Sequence, residues 1–143
     1  MTFRIRQLAT ADYPFVISVI DRWWGGRPMA DKLPRLFFEH FTDTSFAAER
    51  DGRLAGFLAG FISQSRPGEA YIHFVGVDPA QRGNGLGRLL YETFFQAAEA
   101  RGAVLVRGHL PGQPRLDRVS PADGFPAGAR RRQSRRYPRF LQP

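Results

Sequence analysis

Apolar and basic side chains alternate from Phe3 to Gln7, the period of a strand with one face buried. Thr10 follows as a helix cap. From Ala11 to about Trp23 the residues Tyr13, Val16, Ile17, Ile20 and Trp24 recur at the spacing of one helical face, and Gly25-Gly26 ends the run. Pro28 and Pro34 bracket a loop. The segment from Pro34 to Phe41 predicts a short second helix, with Leu33, Leu36, Phe37 and Phe41 as its apolar stripe.

The pattern then changes from helical to extended. Ser45 to Arg50 and Leu54 to Gln64 flank Asp51-Gly52, a pair suited to the positive φ angles of a two-residue hairpin turn. After the turn Arg66-Pro67-Gly68, a third strand is predicted from Glu69 to Val77, and Asp78-Pro79 prevents its continuation. A Gly-rich loop leads into a long helix from about Gly85 to Arg101, with Leu86, Leu89, Leu90, Phe94, Ala97 and Ala98 on one face. Gly102 ends that helix, and residues 104–106 begin one more short strand. The predicted order β-α-α-β-β-β-α-β implies an α+β fold with a mixed, mainly antiparallel sheet, not an alternating doubly wound one.

Composition narrows the chemistry. The 143 residues suffice for one domain, and 43% apolar content with 13 Phe suffices for a core. With no Cys, disulfide scaffolds, thiolate metal sites and cysteine nucleophiles are excluded, and the three scattered His predict no metal centre. No apolar run is long enough to span a bilayer, and MTFRIRQLAT carries charges where a signal peptide has its apolar stretch, so a cytoplasmic protein without membrane partners is expected.

The net charge of +8 is unevenly placed. Residues 1–106 hold 12 basic and 11 acidic side chains, whereas residues 107–143 hold nine basic and two acidic ones with six of the eleven Pro. The first segment reads as the folded domain and the second as an irregular basic Pro/Arg-rich tail. Nucleic-acid binding through that tail is an alternative function, disfavoured because Phe125, Tyr137 and Phe140 are its only stacking residues and form no binding motif.

One motif carries chemistry. Arg82-Gly83-Asn84-Gly85-Leu86-Gly87 lies between a strand and a long helix, where backbone N–H groups converge at the positive end of the helix dipole. Alternate glycines let the backbone approach an anion, and Arg82 adds a positive charge. It is no Walker loop, since no Gly-Lys-Ser/Thr follows, and Leu90 stands where a dinucleotide fingerprint needs a third Gly or Ala. On the glycines alone, a plain Gly-rich connection is the competing explanation.

Together with Tyr71-Ile72-His73-Phe74-Val75-Gly76-Val77-Asp78-Pro79, this segment resembles the acetyl-CoA-binding core of the GNAT superfamily of N-acetyltransferases. Arg82, Gly85 and Gly87 match the family's Arg/Gln-x-x-Gly-x-Gly/Ala pattern, and the resemblance covers residues 3 to about 106. It implies acetyl-CoA as co-substrate and no metal. The backbone of Val75, Gly76 and Val77 would hold the pantetheine arm and acetyl carbonyl, and the amides of Arg82, Gly83, Asn84, Gly85, Leu86 and Gly87 the pyrophosphate. The implied reaction is direct attack of a primary amine on the thioester, assisted by a base. Glu69, Tyr71 and His73, which alternate onto one face of their strand, are the catalytic candidates. Trp23, Trp24, Arg27, Glu39 and His40, on the first two helices and their loop, are candidates for holding the acceptor, a small-molecule or protein amine. A homodimer is compatible with the resemblance.

The tail departs from this family, in which the strand after the long helix leads into another helix and a closing hairpin. Gly108 to Phe125, written with permitted codons and read one base later, can give VTSPVNRASIAFHRRMGF, which has the Ser-Pro-x-Asn loop, amphipathic helix and Gly-Phe of many acetyltransferases. The expectation is a frameshift at or just before Gly108, with an authentic basic extension as the competing account. A shifted tail leaves a second functional alternative, a catalytically impaired CoA-binding domain.

Overall fold

The structure, a computed structural model, describes residues 2–108 and the backbone of residues 109 and 115–119. Six strands form one sheet in chain order: β1 (Arg4–Gln7), β2 (Phe46–Arg50), β3 (Arg53–Ile62), β4 (Glu69–Val77), β5 (Leu105–His109) and β6 (Arg115–Val119). All neighbouring pairs are antiparallel except β4 and β5, which run parallel because helix α3 (Leu86–Ala100) carries the chain back between them. The fold is the expected α+β arrangement. At the β2–β3 hairpin, Asp51 and Gly52 have φ of 53° and 74°, as the two-residue turn requires.

Each face of the sheet is covered by its own core. On one side α3 packs Leu86, Leu90, Tyr91, Phe94 and Ala98 over Leu58, Ile72, Val75 and Val77. On the other, helix α1 (Tyr13–Trp23) and the short helix α2 (Leu36–Glu39) pack Val16, Ile20, Trp23, Phe37 and Phe38 over Phe57, Ala59 and Phe74. The central strands β2, β3 and β4 are thus buried on both faces, and β3 and β4 read as nearly continuous apolar runs.

Three expectations differ from the structure. The second helix shrinks to the single turn of α2, preceded by a 3₁₀ turn at Ala30–Lys32; Phe38 is buried and Leu36 is 42% exposed, because one turn is too short for a 3.6-residue stripe to set its orientation. Val104 is β-branched, yet it is exposed before the strand, where the N–H groups of Val104 and Leu105 both donate to the Gly68 carbonyl. The tail is the third. It was expected to contain no strand pair, but β5 runs on to His109 and β6 pairs with it, so Arg107 lies inside a strand and marks no structural boundary. A β ladder needs only backbone groups and an open edge, which β5 supplies without any apolar pattern in its partner. Residues 120–143 lie outside the described residues. No described helix is long and apolar enough to cross a membrane.

Candidate functional site

The site is built on an irregularity in β4. In its pairing with β3, Ala59 faces Phe74 and Gly60 faces Ile72, which leaves His73 as an extra residue, a β-bulge. Side chains before the bulge alternate, so Glu69, Tyr71 and His73 share the face covered by α1 and α2. After it, Phe74 stays on that face and Val75 and Val77 turn toward α3. On the other edge, β4 pairs with β5 only from Glu69↔Leu105 to Ile72↔Gly108. Among the described residues, the edge of β4 from residue 73 to 77 therefore has no strand beside it. Among the described residues, no strand pairs with the backbone groups of Val75, Gly76 and Val77 that point away from β3.

The Gly-rich loop follows directly. Asp78 accepts a hydrogen bond from the Ala80 N–H at 2.9 Å and Asn84 donates to the Gln81 carbonyl at 3.2 Å, which fix the approach to α3. Gly85 is the N-cap of α3 with φ of +74°, a conformation that side chains resist, and no side chain caps the helix. The first amides of α3 thus remain available, as an anion-binding terminus requires. Space around Gly83 and Gly85 is open for 4 Å where a Cβ would stand. The backbone of Gly83, Asn84, Gly85, Leu86 and Gly87 fits a pyrophosphate on these grounds.

Arg82 has a structural contact besides the role its charge suggests. Its guanidinium donates to the Trp23 carbonyl oxygen at 2.8 Å. Gly76 also has a structural reason: a Cβ there would stand 2.6 Å from Phe57 and 3.0 Å from Trp24.

His73 is held on two sides. Its ring stacks on Phe37 with centroids 4.8 Å apart and planes 3° from parallel, and its Nε2 lies 2.7 Å from the Lys32 carbonyl oxygen. A carbonyl only accepts, so Nε2 carries a hydrogen, and in the tautomer this contact selects the lone pair is on Nδ1. Lys32 is itself placed by Asp21, whose carboxylate accepts from the N–H groups of Met29 and Ala30 at 2.8 and 3.0 Å. Tyr71 stacks on Phe61 with centroids 5.4 Å apart. Glu69 is paired with Arg107 of β5: both Nε and Nη2 approach its Oε1 at 3.2 Å.

The acceptor candidates divide. Trp23 and Trp24 are core residues, 2% and 8% exposed, with Trp23 stacked on Phe57 and Trp24 edge-on to Phe74. Glu39 is tied to Arg35 at 2.7 Å and to His40 at 3.8 Å on the outer side of α2, and Arg27 is exposed in the loop after α1. The structure brings none of the five against β4 through a described polar contact. Asp21, Lys32, Phe37, Phe61 and Arg107 were not anticipated. They come from five separate elements, and only the packing of those elements brings them together.

Two further features lie elsewhere. Arg6 binds Asp12 through two nitrogens, both at 2.8 Å, and Glu49 at 2.7 Å. Burial, the largest influence on Asp12, pushes its carboxyl up, but Arg6 and the Ala9 N–H together hold it below its usual value. This network lines a groove of about 470 Å³ with Phe15, Arg22 and Arg53, which contains none of the candidate catalytic residues. No cluster of His, Cys, Asp or Glu able to hold a metal occurs among the described residues.

Comparison with known proteins gives a consistent outcome. The sequence profile of the "Acetyltransferase (GNAT) family" matches residues 3–112. An L-2,4-diaminobutyric acid acetyltransferase of Virgibacillus pantothenticus is 42% identical over 83 residues, covering 54% of this chain and 52% of that protein. One from Nocardia farcinica is 31% identical over 67 residues, covering 47% and 35%. The chain thus spans about half the length of the first of these relatives and less of the second. Among solved structures, the diaminobutyrate acetyltransferase of Paenibacillus lautus, in complex with L-2,4-diaminobutyric acid and coenzyme A, shares the fold. Its TM-score is 0.64 at 22% identity, over 92% of this chain and 71% of that one.

Proposed function

The chain belongs to the acetyltransferase (GNAT) family, and from that membership we propose that it is an acetyl-CoA-dependent N-acetyltransferase acting on a primary amine. The observation that carries the reading is the adjacency of two open backbone surfaces, the β4 edge at residues 73–77 and the uncapped start of α3 behind Gly83 and Gly85. Both bind through main-chain groups, so they fit a long, flexible ligand with a pyrophosphate at one end and an amide-bearing arm at the other.

Acetyl-CoA, when bound, supplies the activated acetyl thioester. The chain's contribution is placement and proton removal. Val75, Gly76 and Val77 offer hydrogen-bond partners to the arm, and His73, at the bulge where the open edge begins, presents Nδ1 to the incoming amine. As the N–C bond forms and the C–S bond breaks, Nδ1 takes the proton the amine loses, and the proton gained by the departing thiolate balances it. Tyr71 and Phe61 supply an apolar wall beside the same face. His73 is the proposed base, because Glu69 is committed to Arg107 and lies four residues farther from the open edge.

The relatives named for diaminobutyric acid support a small-molecule amine acceptor. For the chain from Gly108 onward we infer a shifted reading frame. Its support is that the family match stops at residue 112 while permitted codons for Gly108 to Phe125, read one base later, can give a family-like segment. Sequencing the coding DNA tests this, and a next frame without helix-forming sequence contradicts it.

The test of the activity is thiol release from acetyl-CoA over a panel of amines. With no Cys in the chain, every thiol detected comes from CoA. Amine-dependent release supports the transferase. CoA binding without release would instead favour a binding domain lacking catalysis.

A further inference from the structure

We propose that Asp21 is a positioning residue of the catalytic site, which selects through the Lys32 carbonyl the ring nitrogen of His73 that is free to take a proton. This rests on His73 as the base of the proposed transferase and adds to it the group that prepares the base.

The stack on Phe37 sets the plane of the His73 ring, but a flat apolar face does not tell one ring nitrogen from the other. Among the described residues, the polar contact that does is the Lys32 carbonyl, 2.7 Å from Nε2. Whatever holds that carbonyl therefore sets the tautomer of the base. Lys32 ends the 3₁₀ turn Ala30–Lys32, which is closed by the Lys32 N–H on the Met29 carbonyl at 3.0 Å and the Leu33 N–H on the Ala30 carbonyl at 3.2 Å. Met29 stands at the cap position of this turn, and its side chain caps nothing.

Asp21, on α1, does the capping from outside. Its Oδ1 accepts from the Met29 N–H at 2.8 Å and the Ala30 N–H at 3.0 Å, and its main-chain carbonyl accepts from the Gly26 N–H at 2.7 Å. One residue thus grips the loop after α1 near its start and at its far end. Between the two grips, residues 25–28 are exposed, and Gly25 and Gly26 have φ of +67° and +89° with open space around them, so burial does little to fix their path. Met29 and Leu33 are buried, which docks the turn on the core but leaves its rotation open. The carboxylate supplies that direction. Without it, two partly buried N–H groups lose their acceptor, and the turn has to rotate toward water and take the Lys32 carbonyl with it.

The test reads the tautomer separately from the reaction. In the full chain with isotope-labelled histidine and neutral imidazoles, nitrogen NMR separates protonated from unprotonated ring nitrogens, and the signals lost in His73→Gln are those of His73. The wild type is expected to carry its hydrogen on Nε2 and none on Nδ1. Asp21→Ala is expected to average the two tautomers and to lower kcat about tenfold or more with CoA affinity unchanged, the worth of a hydrogen bond to a charged group. Asp21→Asn keeps an oxygen for both N–H groups and is expected to stay near the wild type in both readouts. Asp21→Ser, whose hydroxyl is too short to serve both, is the second variant should Asp21→Ala not fold. A merely structural role would lower stability and leave tautomer and kcat in place, so a folded Ala or Ser variant with the wild-type tautomer and kcat overturns the proposal. A wild type with its hydrogen on Nδ1 overturns it as well. Thiol release that survives His73→Gln contradicts instead the reading of His73 as the base, on which the tautomer measurement does not depend.

Discussion

Arg82 donates to the carbonyl oxygen of Trp23 at 2.8 Å, joining the first residue of the Gly-rich loop to the last residue of α1. A helix C-terminus has unsatisfied carbonyls and the negative end of the dipole, so a guanidinium there stabilises the helix end and fixes the loop at once. Arg82→Ala is expected to lower both the melting temperature and the affinity for CoA, the latter about tenfold, the worth of one charged hydrogen bond. Scanning calorimetry and titration of the same variant check this. Lost affinity at an unchanged melting temperature would show that Arg82 acts on the phosphate directly.

In the proposed reaction His73 is the base. Replacing it by Ala is expected to lower kcat about a hundredfold or more while CoA affinity changes little. His73→Gln keeps a donor for the Lys32 carbonyl but lacks the Nδ1 lone pair, and should lose as much. Steady-state kinetics beside CoA titration separates this from a collapse of the Phe37 stack, which would lower stability in both variants.

Trp23 and Trp24 belong to the fold. Truncating Trp23 to Ala removes a ring packed on Phe57 and is expected to cost about 3–5 kcal/mol of stability, read from the urea midpoint. The ratio of rates among amine acceptors should stay the same. A changed ratio in a stably folded Trp23 variant would place that ring in the acceptor site after all.

The Arg6–Asp12 pair predicts acid sensitivity. Asp12 is held below its unfolded-state value by Arg6 and the Ala9 N–H, so its contribution is present above about pH 4 and is lost as pH falls through the folded-state value. Asp12→Asn removes that contribution. Melting temperatures of the two proteins are expected to differ at neutral pH and to converge in strong acid; a gap independent of pH would contradict this account.

How far the sequence could be read depended on the range of the interaction. Local signals were sufficient: Asp51-Gly52 turned where its φ preferences require, Gly85 took a left-handed cap, and the α3 stripe buried Leu86, Leu90 and Phe94. Pairing was not legible. The bulge at His73 arises where residues 70–77 of β4 pair with residues 56–62 of β3, one residue fewer, beside the close approach of Gly60 to Tyr71 and Phe94, which no property of β4 alone encodes.

The misread residues follow the same division. Trp23 and Trp24 stand beside a loop, where an aromatic ring suits an acceptor, but the helical phase that puts Trp24 on the apolar face, one turn on from Val19 and Ile20, turns both into the core. Arg107 was assigned to the tail by charge counting, and its partner Glu69 is 38 residues away in sequence. An ion pair across parallel strands has no local signature.

Titration of acetyl-CoA into the wild type and into Gly85→Val is the most direct test of CoA binding at the start of α3. A β-branched residue cannot take the +74° φ of the α3 cap without a strain of about 1–2 kcal/mol, and its side chain would occupy the open space before the first helical amides. Saturable one-to-one binding by the wild type, weakened at least about tenfold in the variant, is the predicted result. Equal affinity in the two proteins, or no binding by the folded wild type, would contradict it.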